Sequence, residues 1–302
     1  MPFITSNQNN AEPVNIYYED CGKGKPAVFI HGWPLNGAMW EYQVTQLTQQ
    51  GIRCITYDRR GFGKSDWPYE GYDYNTMAGD LKALLDELNL EDVTLVGFSM
   101  GGGEIAKYFS LYGGPRVTKV VLVSAVVPYM LHTSDNPEGV PQEQFDEMAN
   151  GIKQDRPAFM ESFGKDFFGV SLLNHPVSDA FLANNLTQVM KSSPIATLQC
   201  AQSFSSTDFR KDVIKINVPT LIIHGDSDKT VPIKVTGEES AKLIPNATFI
   251  VYEGEPHGLW YTAKERLNED LRDFILISAD QAGSKFRERE IVRENSEPYH
   301  AF

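Results

Sequence analysis

A serine flanked by glycines stands out as a candidate nucleophile, in the pentapeptide G-F-S-M-G at residues 97–101. The pentapeptide follows the apolar run 93–96 and precedes a helical pattern. A strand, a sharp turn that needs small neighbours and a helix place the Oγ of Ser99 above a sheet, next to the free N–H groups of a helix N-terminus. This pattern, a nucleophile elbow, predicts that Ser99 attacks an electrophilic carbon.

A serine hydroxyl needs a base to accept its proton, and histidine usually fills that role. The chain has six histidines, at positions 31, 132, 175, 224, 257 and 300. His257 lies in a loop directly after the last predicted strand, on the sheet edge expected for Ser99, so we predict it as the base. His31 could serve as a second base, but a histidine at that position more often orients its loop.

The carboxylate that orients the base is expected after the strand before the last, where Asp226 and Asp228 both qualify. We choose Asp228, because the turn after Gly225 carries the second acid further toward the histidine loop. Asp226 is then expected to hydrogen-bond the turn itself. The resulting chain order is serine, aspartate and then histidine.

Two backbone N–H groups are predicted to bind the oxyanion that forms during attack on a carbonyl. One belongs to Met100, the residue after the nucleophile. The other is expected from Trp33, in the loop after the predicted strand 27–30, because Pro34 has no N–H to donate. The indole of Trp33 could also form a wall of the substrate pocket.

The elements that would position these residues alternate between strands and helices. Short apolar strands are predicted at 14–19, 27–30, 53–57, 93–96, 119–124, 220–224 and 248–252. Helical patterns occupy 39–50, 75–88, 100–112 and 263–277. Continuous apolar strands separated by helices indicate an α/β fold with a parallel sheet covered on both faces. Ligands bind such sheets at the carboxyl ends of the strands, where each of the motifs above lies.

The segment 128–211 interrupts the alternation, because it is rich in Phe, Met and helical patterns and has no clear strand. We interpret it as a helical cap inserted into a core made of 12–127 and 212–277. The residues 278–302 form a charged C-terminal extension to which no function is assigned. Residues expected to line the substrate pocket are Trp33, Phe159, Phe163 and Val231.

Composition excludes several classes of partner. The formal net charge of −13 over 302 residues argues against nucleic acid and against anionic membrane surfaces. No apolar run is long enough to span a membrane, and no secretory signal is visible at the N-terminus. The three cysteines are scattered and form no metal-ligand pattern, which favours a reducing cytoplasm. Neither a metal nor a cofactor is needed by the predicted chemistry.

Taken together, these residues resemble the α/β-hydrolase fold, and most closely its bacterial cofactor-free (non-haem) haloperoxidase, perhydrolase and aryl esterase group. The segments that carry the resemblance are H-G-W-P-L (31–35), Y-D-R-R-G-F-G-K-S (57–65), G-Y-D-Y (71–74), G-F-S-M-G-G-G-E (97–104), H-G-D-S-D (224–228) and P-H-G (256–258). It implies a mostly parallel eight-stranded sheet with a helical cap, a triad of Ser99, Asp228 and His257, and oxyanion amides from Trp33 and Met100.

The resemblance also implies an activity. Members of this group hydrolyse small esters, and many convert carboxylic acids and hydrogen peroxide into peracids. We therefore expect a carboxylesterase acting on small acyl or aryl esters, with possible perhydrolase activity and a possible homo-oligomeric assembly. Two alternatives remain open at this point: a carbon–carbon bond or lactone hydrolase with the same triad, and a ligand receptor built on a hydrolase scaffold.

Overall fold

The computed structural model describes residues 2–8 and 12–278 and contains an eight-stranded sheet. The strands are β1 (Phe3–Ser6), β2 (Val14–Cys21), β3 (Lys25–Ile30), β4 (Ile52–Tyr57), β5 (Val93–Phe98), β6 (Val117–Val123), β7 (Thr220–Gly225) and β8 (Ala247–Tyr252). Their spatial order is β1-β2-β4-β3-β5-β6-β7-β8. The two N-terminal strands run antiparallel to their neighbours, and the six others pair in parallel. The predicted α/β-hydrolase architecture is confirmed.

Helices cover the sheet between successive strands. They are α1 (Glu41–Leu47), α2 (Tyr74–Glu87), α3 (Met100–Tyr112), α4 (Gln142–Phe167), α5 (Asp179–Val189), α6 (Pro194–Ser206), α7 (Arg210–Val213), α8 (Gly237–Leu243), α9 (Leu259–Thr262) and α10 (Lys264–Leu276). The predicted helix 100–112 matches α3. The predicted helix 39–50 is divided into a 3-10 turn, α1 and a second 3-10 turn, and the first turn is capped by the side chain of Asn36, which accepts from the N–H of Ala38.

The central strands β5 and β7 are buried along their whole length, because helices lie on both faces of the sheet. Their near-continuous apolar sequences are what made them recognisable. The edge strand β1 was not among the strands located from the sequence. It has only four residues, alternates exposed and buried positions and pairs with β2, so its apolar signal is short and weak.

The segment 128–211 between β6 and β7 is helical, as predicted, and contains α4, α5, α6 and the first two residues of α7. In α4 the backbone departs from helical geometry at Asp155, two residues before Pro157, whose ring cannot follow a regular helical turn. The Asp155 carboxylate accepts from the N–H of Ala158 and restarts the helix. Whether 128–211 forms a separate cap domain stays a prediction.

The predicted extension 278–302 lies, apart from its first residue, outside the described residues. Within the part of the chain that the structure describes, no helix has the length and apolar character needed to cross a membrane.

Candidate active site

Ser99 lies at the sharp turn between β5 and α3. Its backbone has φ 53° and ψ −117°, a conformation that side chains with a Cβ rarely adopt. The turn also depends on its neighbours being small. A Cβ added to Gly97 would lie 2.8 Å from the carbonyl oxygen of Gly101, and one added to Gly32 would lie 3.0 Å from the Cβ of Ser99. Gly97 of the pentapeptide and Gly32 of the neighbouring loop are therefore steric requirements of the elbow.

The structure brings the three predicted catalytic side chains into one hydrogen-bonded line. The Nε2 atom of His257 lies 3.0 Å from the Oγ of Ser99, and its Nδ1 lies 2.6 Å from the Oδ2 of Asp228. Since a carboxylate can only accept, Nδ1 carries the proton that it donates to Asp228. The lone pair on Nε2 is then free to accept the proton of the serine hydroxyl.

Asp228 is buried but well supplied with donors. Its Oδ1 accepts the backbone N–H groups of Thr230 and Val231 at 2.9 and 2.8 Å. Burial alone would raise the pKa of Asp228, but its electrostatic attraction to His257 and hydrogen bonds from His224 and His257 hold that pKa well below its usual range. The carboxylate is thus kept ionised, as the orienting role requires.

His224 is a second imidazole against the same carboxylate, and its part in the site was not recognised from the sequence. Its buried Nε2 donates to the carbonyl of Val231 at 2.9 Å and lies 3.3 Å from the Oδ2 of Asp228. The sequence signal that could have identified this contact is the i, i+4 spacing of His224 and Asp228 across a turn. Asp226, the alternative acid, is exposed and accepts from the N–H of Gly254 at 2.7 Å, away from the histidine.

The loop after β3 passes against the elbow, as the close approach of Gly32 to Ser99 shows. The indole Nε1 of Trp33 donates to the carbonyl of Thr197 in α6 at 2.9 Å, which fixes the ring as a wall between the loop and the inserted helices. Met100 is the first residue of α3, so its N–H has no intrahelical acceptor. Met100 directly follows Ser99, and Trp33 lines the same cavity as Ser99. That their N–H groups bind the oxyanion stays a prediction.

His31 is turned away from the serine and holds the loop. Its Nε2 accepts the backbone N–H of Arg59 at 2.9 Å, and its Nδ1 lies 2.8 Å from the carbonyl of Gly32. Burial and the charge of Arg59 keep the pKa of His31 well below its ordinary value, so the ring is neutral. These contacts match the loop-orienting interpretation of His31.

A buried ionic cluster beneath the loop was not predicted as a unit. Glu104 of α3 accepts from the hydroxyl of Tyr57 and from Nε of Arg59, each at 2.5 Å. Arg59 also donates to the carbonyl of His31 at 2.7 Å. These contacts link α3, the end of β4 and the loop after β3. Glu104 lies 47 and 45 positions from Tyr57 and Arg59 in the sequence, so spacing alone could not pair it with them.

A cavity of about 680 Å³ opens above Ser99 and His257. All four predicted pocket residues, Trp33, Phe159, Phe163 and Val231, line it. The other lining residues are Val126, Met130, Val140, Gln144, Phe145, Glu147, Met148, Asp166, Phe204, Lys229 and Thr230. The wall is mainly apolar and aromatic. Among the described residues, no group of three His, Cys, Asp or Glu side chains could hold a metal ion.

Comparison with known proteins identifies the family of this chain. A family model described as alpha/beta hydrolase fold matches residues 25–263. The non-heme chloroperoxidase CPO-A1 of Kitasatospora aureofaciens is 42% identical over 91% of this chain and 99% of the relative. The bifunctional esterase/perhydrolase DCH of Acinetobacter calcoaceticus is 38% identical, with the same coverage of both chains.

Among solved structures, the bromoperoxidase of Bacillus anthracis superimposes with a TM-score of 0.85 at 50% identity and covers 89% of this chain and 97% of its own. Identity and coverage of this extent reach well beyond the elbow motif. The chain belongs to the α/β-hydrolase fold family, within its non-haem haloperoxidase and esterase/perhydrolase group.

Proposed function

We propose that the protein is a serine carboxylesterase that cleaves small acyl or aryl esters through an acyl-enzyme. The observation that carries the proposal is His257, whose two ring nitrogens lie within hydrogen-bond distance of Ser99 and Asp228 on the floor of an apolar cavity. This is the arrangement in which a hydroxyl, a base and an orienting acid act as a unit.

In the first step, Nε2 of His257 takes the proton of Ser99 as Oγ attacks the ester carbonyl. The imidazolium that forms is stabilised by Asp228 and then protonates the leaving alcohol. The oxyanion is bound by the N–H groups of Trp33 and Met100, and removal of one such donor typically raises the barrier by about 3 kcal/mol.

In the second step, a nucleophile releases the acyl group from Ser99, again with His257 as base. Water gives the carboxylic acid, and hydrogen peroxide gives the peracid. The perhydrolase branch is supported by the relatives named as a chloroperoxidase and as an esterase/perhydrolase. The mainly apolar wall supports a small acyl or aryl group, and Glu147, Asp166 and Lys229 are the charged residues among its lining.

The test is the Ser99→Ala variant assayed with p-nitrophenyl acetate. We expect kcat/KM to fall about 1,000-fold or more, because the nucleophile is lost. Ser206→Ala, an exposed serine of α6, is the matched control and should keep wild-type turnover.

A folded Ser99→Ala protein with wild-type turnover would refute the mechanism. Weak turnover of simple esters beside rapid cleavage of a lactone or a β-diketone would favour the alternative hydrolase. Binding without multiple turnovers would favour the receptor.

We further propose a cytoplasmic location and a homo-oligomeric state. The first is supported by the odd number of cysteines, of which none is in a disulfide and only Cys21 is exposed. Fractionation of the producing cells tests the location. Light scattering of the purified protein tests the assembly, and a monomeric mass would refute it.

A further inference from the structure

We propose that Met130 and Met148 are modification sites, oxidised to sulfoxides by the peracid that the enzyme releases beside them. The inference rests on the proposed function, and in particular on its perhydrolase branch. It assigns to the cavity a reaction on the protein itself in addition to the reaction on the substrate.

The two methionines face the product as it forms. Met130 follows β6 and is buried, and Met148 lies on α4 and is half-buried; both line the cavity that Ser99 and His257 line. Cys21, Cys54 and Cys200 are not among the lining residues. The two thioethers are therefore the soft, polarisable nucleophiles of this wall.

Confinement favours reaction before escape. One peracid molecule in a cavity of about 680 Å³ corresponds to a local concentration of about 2 M. Aromatic and aliphatic side chains occupy most of the remaining wall, and they offer no comparably reactive lone pair. The thioethers thus meet the oxidant at a concentration that no methionine outside the cavity experiences.

The chemistry balances without a further reagent. Ser99 is acylated either by an ester, with loss of the alcohol, or by a carboxylic acid, with loss of water. Hydrogen peroxide then releases the acyl group from Ser99 as a peracid, and the serine regains its proton through His257. A lone pair of the methionine sulfur then attacks the terminal peroxide oxygen. The S–O bond forms, the O–O bond breaks, and the proton on the transferred oxygen moves to the carboxylate that leaves. The thioether is oxidised, and the peracid is reduced to the carboxylic acid.

A sulfoxide changes the cavity, because it places a strong hydrogen-bond acceptor on an apolar wall. An apolar ester would bind less well to the oxidised wall, whereas the hydrogen bonds that join Ser99, His257 and Asp228 are unchanged. Peracid turnover should therefore raise KM for the ester progressively and change kcat less.

The experiment incubates the full-length protein with acetate and hydrogen peroxide, plus excess free methionine to consume peracid released into solution. Peptide mass spectrometry then counts added oxygen at each methionine. Met190 is the matched internal control, since it is half-buried like Met148 but does not line this cavity. We expect at least about 5-fold more oxidation at Met130 and Met148 than at Met190, falling to the hydrogen peroxide background in Ser99→Ala.

A Met130→Leu/Met148→Leu double variant provides a second readout. During peracid turnover, the KM of this variant for p-nitrophenyl acetate should stay at its starting value, while the KM of the wild type rises. A KM that rises equally in both proteins would overturn the inference.

The remaining outcomes separate this inference from the proposed function. Equal oxidation at Met190 and in the cavity, or peracid formation without cavity oxidation, overturns the inference alone. Ester hydrolysis without peracid formation overturns both this inference and the perhydrolase branch, but it leaves the proposed esterase activity unaffected. A folded Ser99→Ala variant that keeps its full esterase activity refutes the proposed function itself.

Discussion

Three buried histidines lie at the carboxyl edge of the sheet, and the partners of their ring nitrogens give them different roles. His257 faces a hydroxyl and a carboxylate, His31 accepts from a backbone N–H, and His224 donates to a carbonyl and approaches the triad carboxylate. Only the first arrangement leaves a lone pair facing Ser99. The chemistry of each ring thus follows from its neighbours.

His31 should make the stability of the protein sensitive to acid. Its pKa is held well below 6.5 in the folded state, so between that pKa and 6.5 the unfolded chain binds a proton that the folded chain does not. The free energy of unfolding should therefore decrease as the pH is lowered, by about 1.4 kcal/mol for each pH unit between 6.5 and the folded-state pKa of His31.

Urea titrations between pH 5 and 7.5 measure this slope. His31→Gln, whose amide oxygen can still accept from Arg59, should be less stable at pH 7.5 but show a flatter dependence below 6.5. An unchanged slope in the variant would contradict the assignment.

His224 should act on turnover through Asp228. His224→Leu removes a donor to a buried carboxylate, and we expect kcat for p-nitrophenyl acetate to fall about 10-fold with little change in KM. His224→Gln keeps an N–H of similar reach and should retain at least about a third of the wild-type kcat.

The exposed His132 supplies the control, since His132→Gln should leave kcat unchanged. If Leu and Gln at position 224 gave equal losses at equal stability, His224 would have no positioning role.

The residues of the predicted site could be read from the sequence because each directly follows a strand. Ser99, Asp228 and His257 lie after β5, β7 and β8, and parallel strands bring their carboxyl ends to one edge. The cluster of Arg59 and Glu104 could not be paired in the same way. Its geometry depends on the packing of α3 against the loop after β4, and that packing has no local sequence pattern.

At the scale of elements, the glycines of α3 allow the helix to start directly on the sheet. A Cβ at Gly101 would lie 2.7 Å from the carbonyl oxygen of Ile30 in β3, and one at Gly102 would lie 2.5 Å from the Cβ of Ala125. The first turn of the helix is therefore fixed by contact with the backbone of a neighbouring strand.

Gly101→Ala should disturb both packing and catalysis. Because the contact is with backbone, α3 must shift, and we expect the free energy of unfolding to fall by about 2 kcal/mol. Displacement of the Met100 N–H should also lower kcat more than 10-fold. Urea denaturation and the p-nitrophenyl acetate assay measure the two effects.

Leu111→Ala, at an exposed position of the same helix, should change stability by less than about 1 kcal/mol and leave kcat unchanged. Wild-type behaviour of Gly101→Ala would mean that the elbow tolerates the added methyl group. The boundaries of α3 itself were predicted correctly, because the elbow and Gly113 mark both ends of its pattern.

At the scale of the whole molecule, a buried lysine joins the last helix to the middle of the sheet. Nζ of Lys119 in β6 donates to the carbonyls of Phe274 and Ile275 at 2.8 and 2.7 Å, and also to that of Ile277. It thereby donates to carbonyl groups at the C-terminus of α10. Burial lowers the pKa of Lys119 to about 8.

Lys119→Met should lower the free energy of unfolding by about 2 kcal/mol, because buried carbonyls lose their donor. Lys82→Met removes an exposed i, i+4 ion pair and should change it by less than about 0.5 kcal/mol. Urea denaturation at pH 7 compares the two. Equal effects would show that the contacts of Lys119 contribute no more than a surface pair.

The alternation of strands and helices was enough to predict the fold class, because the apolar pattern of central strands is long and continuous. The insertion between β6 and β7 was recognised as helical for the same reason. The contacts inside it were not predictable: which aromatic rings of 128–211 meet Trp33 depends on a kink at Asp155 and on tertiary packing. We expect substrate preference to be determined there, because Phe159 and Phe163 line the cavity above Ser99.

The backbone of Ser99 implies a conflict between activity and stability at a single position. At φ 53° and ψ −117° a serine is strained by about 1–3 kcal/mol, whereas glycine adopts this region freely. Ser99→Gly should therefore raise the midpoint of urea unfolding while abolishing turnover, and a lowered midpoint would contradict this. Selection for catalysis retains here a side chain that selection for stability alone would have removed.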